Sequence, residues 1–170
     1  MIRAIRTAAA ILAAAALPSA APAQPAVSDE DDRAAIVATL ERAFEGVATR
    51  DPAIWREVLL EDGIAVSFRP AGDEAWEMRL VRNAEMIAGM EPGDRRLLER
   101  FTAEPTVLIR GPIAVLWGEY DFWIDGEFSH CGIDAADLVK VDGSWTIANL
   151  MWTAESEGCP TAAGPAPDMP

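Results

Sequence analysis

The sequence predicts an α+β domain, with helices from its first half packed on one face of a strongly bent antiparallel sheet. Three observations predict it. Apolar residues recur at helical spacing twice near the start, over 29–48 and again over 52–59. The stretch from Gly111 to Trp152 holds three long runs rich in β-forming residues. These runs are divided by Asp125-Gly126 and Asp142-Gly143. Asp-Gly suits a type I′ turn, because both central residues need φ > 0, so the runs form a three-stranded antiparallel meander. Helices followed by strands, rather than alternating with them, belong to the α+β class.

The chain can then be taken in order. Residues 1–23 read as a secretory signal peptide: Arg3 and Arg6, an apolar run from Ala8 to Leu17, then Ala21-Pro22-Ala23. The run is too short to span ~30 Å of hydrocarbon as an anchor. Export to the periplasm or the medium is the expectation, with no membrane span after cleavage. Residues 24–28 read as a linker, 29–159 as the folded domain and 160–170 as a disordered tail poor in packing material. Cleavage after Ala23 leaves 147 of the 170 residues, enough for one core.

Ser28 and the acids Asp29 to Asp32 suit a helix start. Ile36, Val37, Leu40, Phe44 and Val47 form its apolar face. Asp51-Pro52 starts a second, short helix with Ile54, Trp55, Val58 and Leu59 on one side, ended by Gly63. Strands follow at Ile64–Phe68 and Ala75–Val81, then a short helix capped by Asn83 with Met86, Ile87 and Met90 inward. Arg95 to Ile109 reads as one long strand bent near Glu104-Pro105, since proline cannot donate to a central ladder.

The charge balance narrows the partners. Removing Arg3 and Arg6 leaves 28 acidic against 12 basic residues, a balance of −16. Such a surface repels nucleic acid and anionic lipid. The two cysteines, Cys131 and Cys159, are expected to pair in an oxidising compartment, with two free thiols or a thiol nucleophile as the alternative. A disulfide there closes a loop of about 28 residues, roughly 3.5 kcal/mol in the chain-entropy picture. No Cys-x-x-Cys motif is present.

Two-residue loops at both Asp-Gly pairs set a register. Asp121 falls opposite His130, Asp134 opposite Trp117 and Met151, and Cys131 opposite Ala154. Alternation then puts Trp117, Glu119, Asp121, Trp123, His130, Asp134, Asn149, Met151 and Thr153 on one face. The other face carries Leu116, Tyr120, Phe122, Cys131, Ile133, Ala135, Val139, Leu150 and Trp152. The first face mixes aromatics, acids and the single histidine, as a pocket with convergent polar groups does. His130, Asp121 and Asp134 are the candidate catalytic groups. Asp121 would orient the imidazole and raise its basicity. Asp134, among apolar neighbours, would hold its proton. Trp117, Glu119, Trp123, Asn149 and Met151, with Trp55 from the second helix, are the candidate ligand contacts. The plain alternative is a satisfied Asp–His pair on scaffold, with the tryptophans as core. A lone histidine among scattered carboxylates lacks metal-ligand spacing, and no metal site is expected.

An acidic first helix, an Asp-Pro second helix, a hairpin, a small helix and a finish at Asp142-Gly-Ser-Trp-Thr-Ile147 resemble the NTF2-like superfamily over about residues 29–155. Gly111–Trp117, Ser129-His-Cys-Gly132, Asp134 and Glu157-Gly-Cys-Pro160 are similar to exported bacterial members known mainly as uncharacterised proteins. The resemblance implies a cone-shaped domain that binds a small hydrophobic organic molecule. SnoaL-like isomerase or cyclase chemistry without a cofactor is the accompanying expectation, His130 with Asp121 or Asp134 serving as acid and base. It also implies a homodimer through the outer sheet face. The alternative it leaves is a non-catalytic interaction or assembly module using that face. The ketosteroid isomerases of this superfamily use a tyrosine with two carboxyl groups. Tyr120, the single tyrosine, falls in this register on the face opposite Asp121 and Asp134, which departs from that pattern.

Overall fold

Acidic side chains at a helix start offset its dipole, and Asp29, Glu30, Asp31 and Asp32 fill the first turn of helix α1, Asp29–Thr49. Its buried stripe includes Ile36, Leu40, Ala43 and Phe44. Asp51 caps α2, Pro52–Val58, by accepting the Ala53 N–H at 2.8 Å, with proline in the first turn as expected. Strands β1 (Ile64–Pro70) and β2 (Trp76–Arg82) form a hairpin, and α3 (Asn83–Ala88) follows. The computed structural model describes residues 29–72, 75–160 and 167–170. The signal peptide and linker expected over 1–28, and residues 161–166 of the expected tail, lie outside the described residues.

Asn83 does a different job from the one expected of it. Arg82 occupies the cap position of α3, and Asn83 is the first helical residue, fully buried. Its Nδ2 donates to the Leu60 carbonyl at 2.8 Å and the Ala148 carbonyl at 3.2 Å, tying the α2 exit to the sheet.

The expected long strand over 95–109 is two strands. β3 (Leu97–Phe101) and β4 (Thr106–Arg110) are separated by residues 102–105, and both pair with β5, one along each half of it. The break falls at Pro105, where a ladder donor is missing. β5 (Ile113–Ile124), β6 (Glu127–Val141) and β7 (Ser144–Thr153) form the meander. Both Asp-Gly turns are as read. Asp125 and Gly126 take φ +56° and +87°, Asp142 and Gly143 take +49° and +87°, and Ile124 pairs with Glu127 and Val141 with Ser144.

The sheet order is β2-β1-β7-β6-β5-β3. Its joins are antiparallel except one, since β1 runs parallel to β7. The three helices and the bent sheet give the α+β cone that the sequence predicts.

The expected register holds only next to the turns. A bulge between Phe122 and Trp123 leaves Ser129 without a partner in the ladder, and a second between Asp137 and Leu138 leaves out Ala148. Each moves all later pairs by one residue. Asp121 therefore lies opposite Cys131 rather than His130, and Asp134 opposite Gly118 and Trp152. A bulge also bends its strand and increases twist, so the two features that shift the register help to curl the sheet. The core lies in that curl, where Ile36, Leu116 and Ile147 are wholly buried.

Candidate functional site

Between the helices and the concave sheet face lies a cavity of about 380 Å³. Its apolar walls come from Leu40, Ala43, Phe44 and Val47 on α1, Trp55 on α2, and Phe122, Leu150 and Trp152 on the sheet. The polar groups that reach it are Arg69, Glu99, Tyr120, Ser129, His130 and Asp134. Two glycines shape the wall behind them. Gly118 faces Asp134 across the ladder, and a Cβ there would strike the ring of Phe101. Gly132 faces Tyr120, and a Cβ there would collide with the Thr153 carbonyl. The Tyr120 hydroxyl donates to that same carbonyl at 2.7 Å.

Asp134 is 3 % exposed, and its Oδ2 accepts no hydrogen bond among the described residues. Burial disfavours the charged form and pushes this carboxyl up to about 8. Glu99, from β3, is raised well above the ordinary range, first by burial and then by the neighbouring Asp134 carboxyl. The two acids thus form a coupled pair, Asp134 buried and Glu99 half-buried, in which Asp134 holds its proton at neutral pH and Glu99 is shifted in the same direction. Burial, with Glu99 and Asp134 nearby, also pushes the Tyr120 hydroxyl upward, so it stays protonated. His130 stacks on Phe122 with ring centroids 4.8 Å apart and meets the Tyr120 ring edge-on at 5.8 Å. Its Nδ1 lies 3.0 Å from Ser129 Oγ. Burial, helped by the positive charge of Arg69, lowers the imidazole to about 4, so it is neutral at pH 7.

No family model matches the chain, and no curated protein matches it by sequence. Solved structures do match by shape. An NTF2-like superfamily protein from Salmonella enterica serovar Typhimurium aligns over 78 % of this chain and 96 % of its own, with TM-score 0.61 and 14 % identity. An NTF2-like protein of unknown function from Silicibacter pomeroyi aligns over 75 % of this chain and 99 % of its own, with TM-score 0.55 and 16 % identity. A protein of unknown function with a cystatin-like fold from Nostoc punctiforme covers 77 % and 96 %, with TM-score 0.59 and 9 % identity. The fold is NTF2-like. At such identities the likeness speaks for fold alone, because one fold hosts many functions.

Within the NTF2-like cone the predicted residues divide. His130, Asp134 and Trp55 line the cavity. Asp121 does not: its side chain lies on the other face, fully buried, and takes two hydrogen bonds from Arg100 at 3.0 and 3.2 Å. The Ser129 bulge is the cause, for it turns His130 to the concave face while Asp121 stays outside. The expected rise in His130 basicity is accordingly reversed to a fall. Trp117, Glu119 and Met151 are exposed on the outer face. Trp123 is buried edge-on against Phe128 at 5.6 Å, away from the cavity. Asn149 accepts the Ile64 N–H at 3.2 Å and donates to Asp137 at 3.3 Å, also outside. Tyr120 sits on the same concave face as Asp134, correcting the register that separated them.

Glu99, Arg69, Tyr120 and Ser129 complete the polar lining without having been singled out for it. Glu99 had a readable signal: Leu97, Glu99 and Phe101 alternate with period two, which puts an acid at an inward position between apolar ones. Among the described residues no group of three or more His, Cys, Asp or Glu side chains is placed to hold a metal ion. Cys131 and Cys159 form a disulfide, with Cα atoms 5.9 Å apart.

Proposed function

We propose that this protein binds a small, largely apolar organic molecule in the cone and exposes it to a protonated carboxyl. One observation carries the reading: Asp134, almost wholly buried, lines a mainly apolar chamber and has a carboxyl oxygen with no hydrogen-bond partner among the described residues. A buried polar group without a partner costs on the order of 1–3 kcal/mol, and a ligand carbonyl or hydroxyl would recover it. Asp134 donates a proton or hydrogen bond to that oxygen, and neutral His130 accepts a proton from the neighbouring carbon. The chemistry is proton transfer of the isomerase or cyclase kind, with no cofactor invoked. Export accords with the disulfide and with the reading of residues 1–23; among the described residues no helix is long and apolar enough to cross a membrane. The outer face, with Val115, Trp117 and Met151 exposed, is where a second copy would pack.

The test uses an apolar ketone, 2-tetralone, in deuterated buffer, with proton–deuterium exchange beside its carbonyl followed by NMR. The native protein should accelerate exchange. Asp134→Asn should slow the catalysed rate at least ~100-fold, the size of a general acid's contribution. Exchange no faster than in buffer, or equal in the variant, would reject the chemistry.

A further inference from the structure

Arg69 sits at a boundary. It lines the chamber and also an adjoining cavity of about 640 Å³, and the wall between them is completed by Met86 and Trp152. Arg42, Arg56, Arg95, Arg100 and Lys140 each have a carboxylate oxygen within 4.0 Å. Arg69 has none among the described residues, although Glu77 lies directly across the β1–β2 ladder from it. Among the described residues it is thus a cation without a carboxylate partner, in a chain of net charge −14. Its field reaches inward as well as outward, since it bears on both the His130 ring and the Tyr120 hydroxyl.

We infer that the ligand of the cone is an anionic amphiphile, an apolar body ending in one carboxylate or sulfonate, with its charge held by Arg69 and its apolar end in the chamber. This rests on the binding reading above and adds the ligand's charge and orientation. The charges around the site favour a single negative group. Inside the chamber Asp134 keeps its proton, burial favours the uncharged form of Glu99 and His130 is neutral, which leaves little negative charge there to oppose a monoanion at the mouth. In the adjoining cavity Arg79 is accompanied by Glu77 and Glu85, which leaves no surplus of positive charge for a dianion such as a phosphate monoester. A guanidinium offers a planar fork matched to a carboxylate, and Met86 and Trp152 beside it offer apolar surface to the body of the same ligand. The carbonyl or hydroxyl of the reading above, carried on the apolar body, meets the Asp134 carboxyl.

Two fluorescent probes separate charge from shape: 1-anilinonaphthalene-8-sulfonate, and N-phenyl-1-naphthylamine, which has the same rings without the sulfonate. Both are titrated at about pH 6 into the native protein and three variants. Native protein should bind both. Arg69→Gln should weaken the sulfonate probe about tenfold and the neutral probe less than twofold. Arg79→Gln, which removes a cation outside the chamber, should change neither by more than twofold. Ala43→Met, which puts a flexible side chain into the chamber, should weaken both. If Arg69→Gln moves the two probes equally, or Arg79→Gln costs the sulfonate as much, the anion assignment fails while the cavity reading stands. If neither probe binds, or Ala43→Met leaves both in place, the cavity reading fails and the anion assignment with it.

Discussion

At Asp134 a carboxyl has left water without gaining a partner for Oδ2 among the described residues, and the consequence is measurable without a ligand. Its folded form holds a proton up to about pH 8, whereas the unfolded chain releases it near the ordinary 3.8. His130 is the mirror case, neutral in the fold down to about 4 against an ordinary 6.5. Between those two values the unfolded chain has gained a proton at His130 and lost one at Asp134. The two slopes therefore oppose each other, each about 1.4 kcal/mol per pH unit. Above 6.5 the histidine no longer contributes. The fold still binds a proton at Asp134 that the unfolded chain does not, and Glu99 acts in the same direction. Unfolding free energy should fall as pH rises from about 6.5 to 8, at up to ~1.4 kcal/mol per unit for Asp134 alone. Urea titrations across that range measure it. Asp134→Asn should flatten the decline and be more stable than the native protein at pH 8. An equal slope in the variant would mean that the titrating group lies elsewhere.

Among the elements, what was legible was local. Asp51-Pro52 announced α2, the acids announced α1, and each Asp-Gly pair announced its turn, because caps and turns are decided by residues a few positions apart. The two bulges were not legible, since nothing in Phe128-Ser-His or Ile147-Ala-Asn departs from ordinary strand composition. They arise from the need to curl the sheet around α1. The division of the candidate site followed from that: His130 and Asp134 reached the chamber together, and Asp121, Trp117, Glu119, Trp123, Asn149 and Met151 were left outside. The same one-residue shift puts Cys131 opposite Glu155 rather than Ala154, joined by backbone hydrogen bonds of 2.9 and 2.8 Å. The disulfide to Cys159 fastens this crossing, and the adjoining Thr153 carbonyl is the one that Tyr120 grips. Replacing both cysteines by serine should cost roughly 3.5 kcal/mol. For a domain of this size that lowers Tm by roughly 10 °C in a calorimetric scan. A loss under ~2 °C would show that the strand pairing alone holds the segment.

For the whole molecule the dominant quantity is charge. There are 28 acidic and 14 basic residues, and the ion pairs do little to offset the imbalance. Arg42 with Glu45 and Glu57, Arg56 with Glu61 and Arg95 with Asp125 lie at the surface. Exposed pairs of this kind contribute about 0–1 kcal/mol each. Asp32, held by Lys140 and the Trp145 indole against the β6–β7 turn, is the more enclosed contact. A net charge of −14 on a chain of 170 residues repels itself at every length below the Debye length. That length is ~30 Å in 0.01 M salt and ~10 Å in 0.1 M. The unfolded chain spreads the same charges farther apart, so self-repulsion weighs against the fold more than against the coil. Adding sodium chloride from about 0.01 M to 0.1 M should therefore stabilise the protein, by on the order of 1 kcal/mol, even though it weakens each surface pair. Urea titration at the two salt concentrations, at one pH, measures the sign. Destabilisation by salt would mean that the pairs outweigh the net charge, and that the acids are arranged to be neutralised within the fold rather than merely to be solvated.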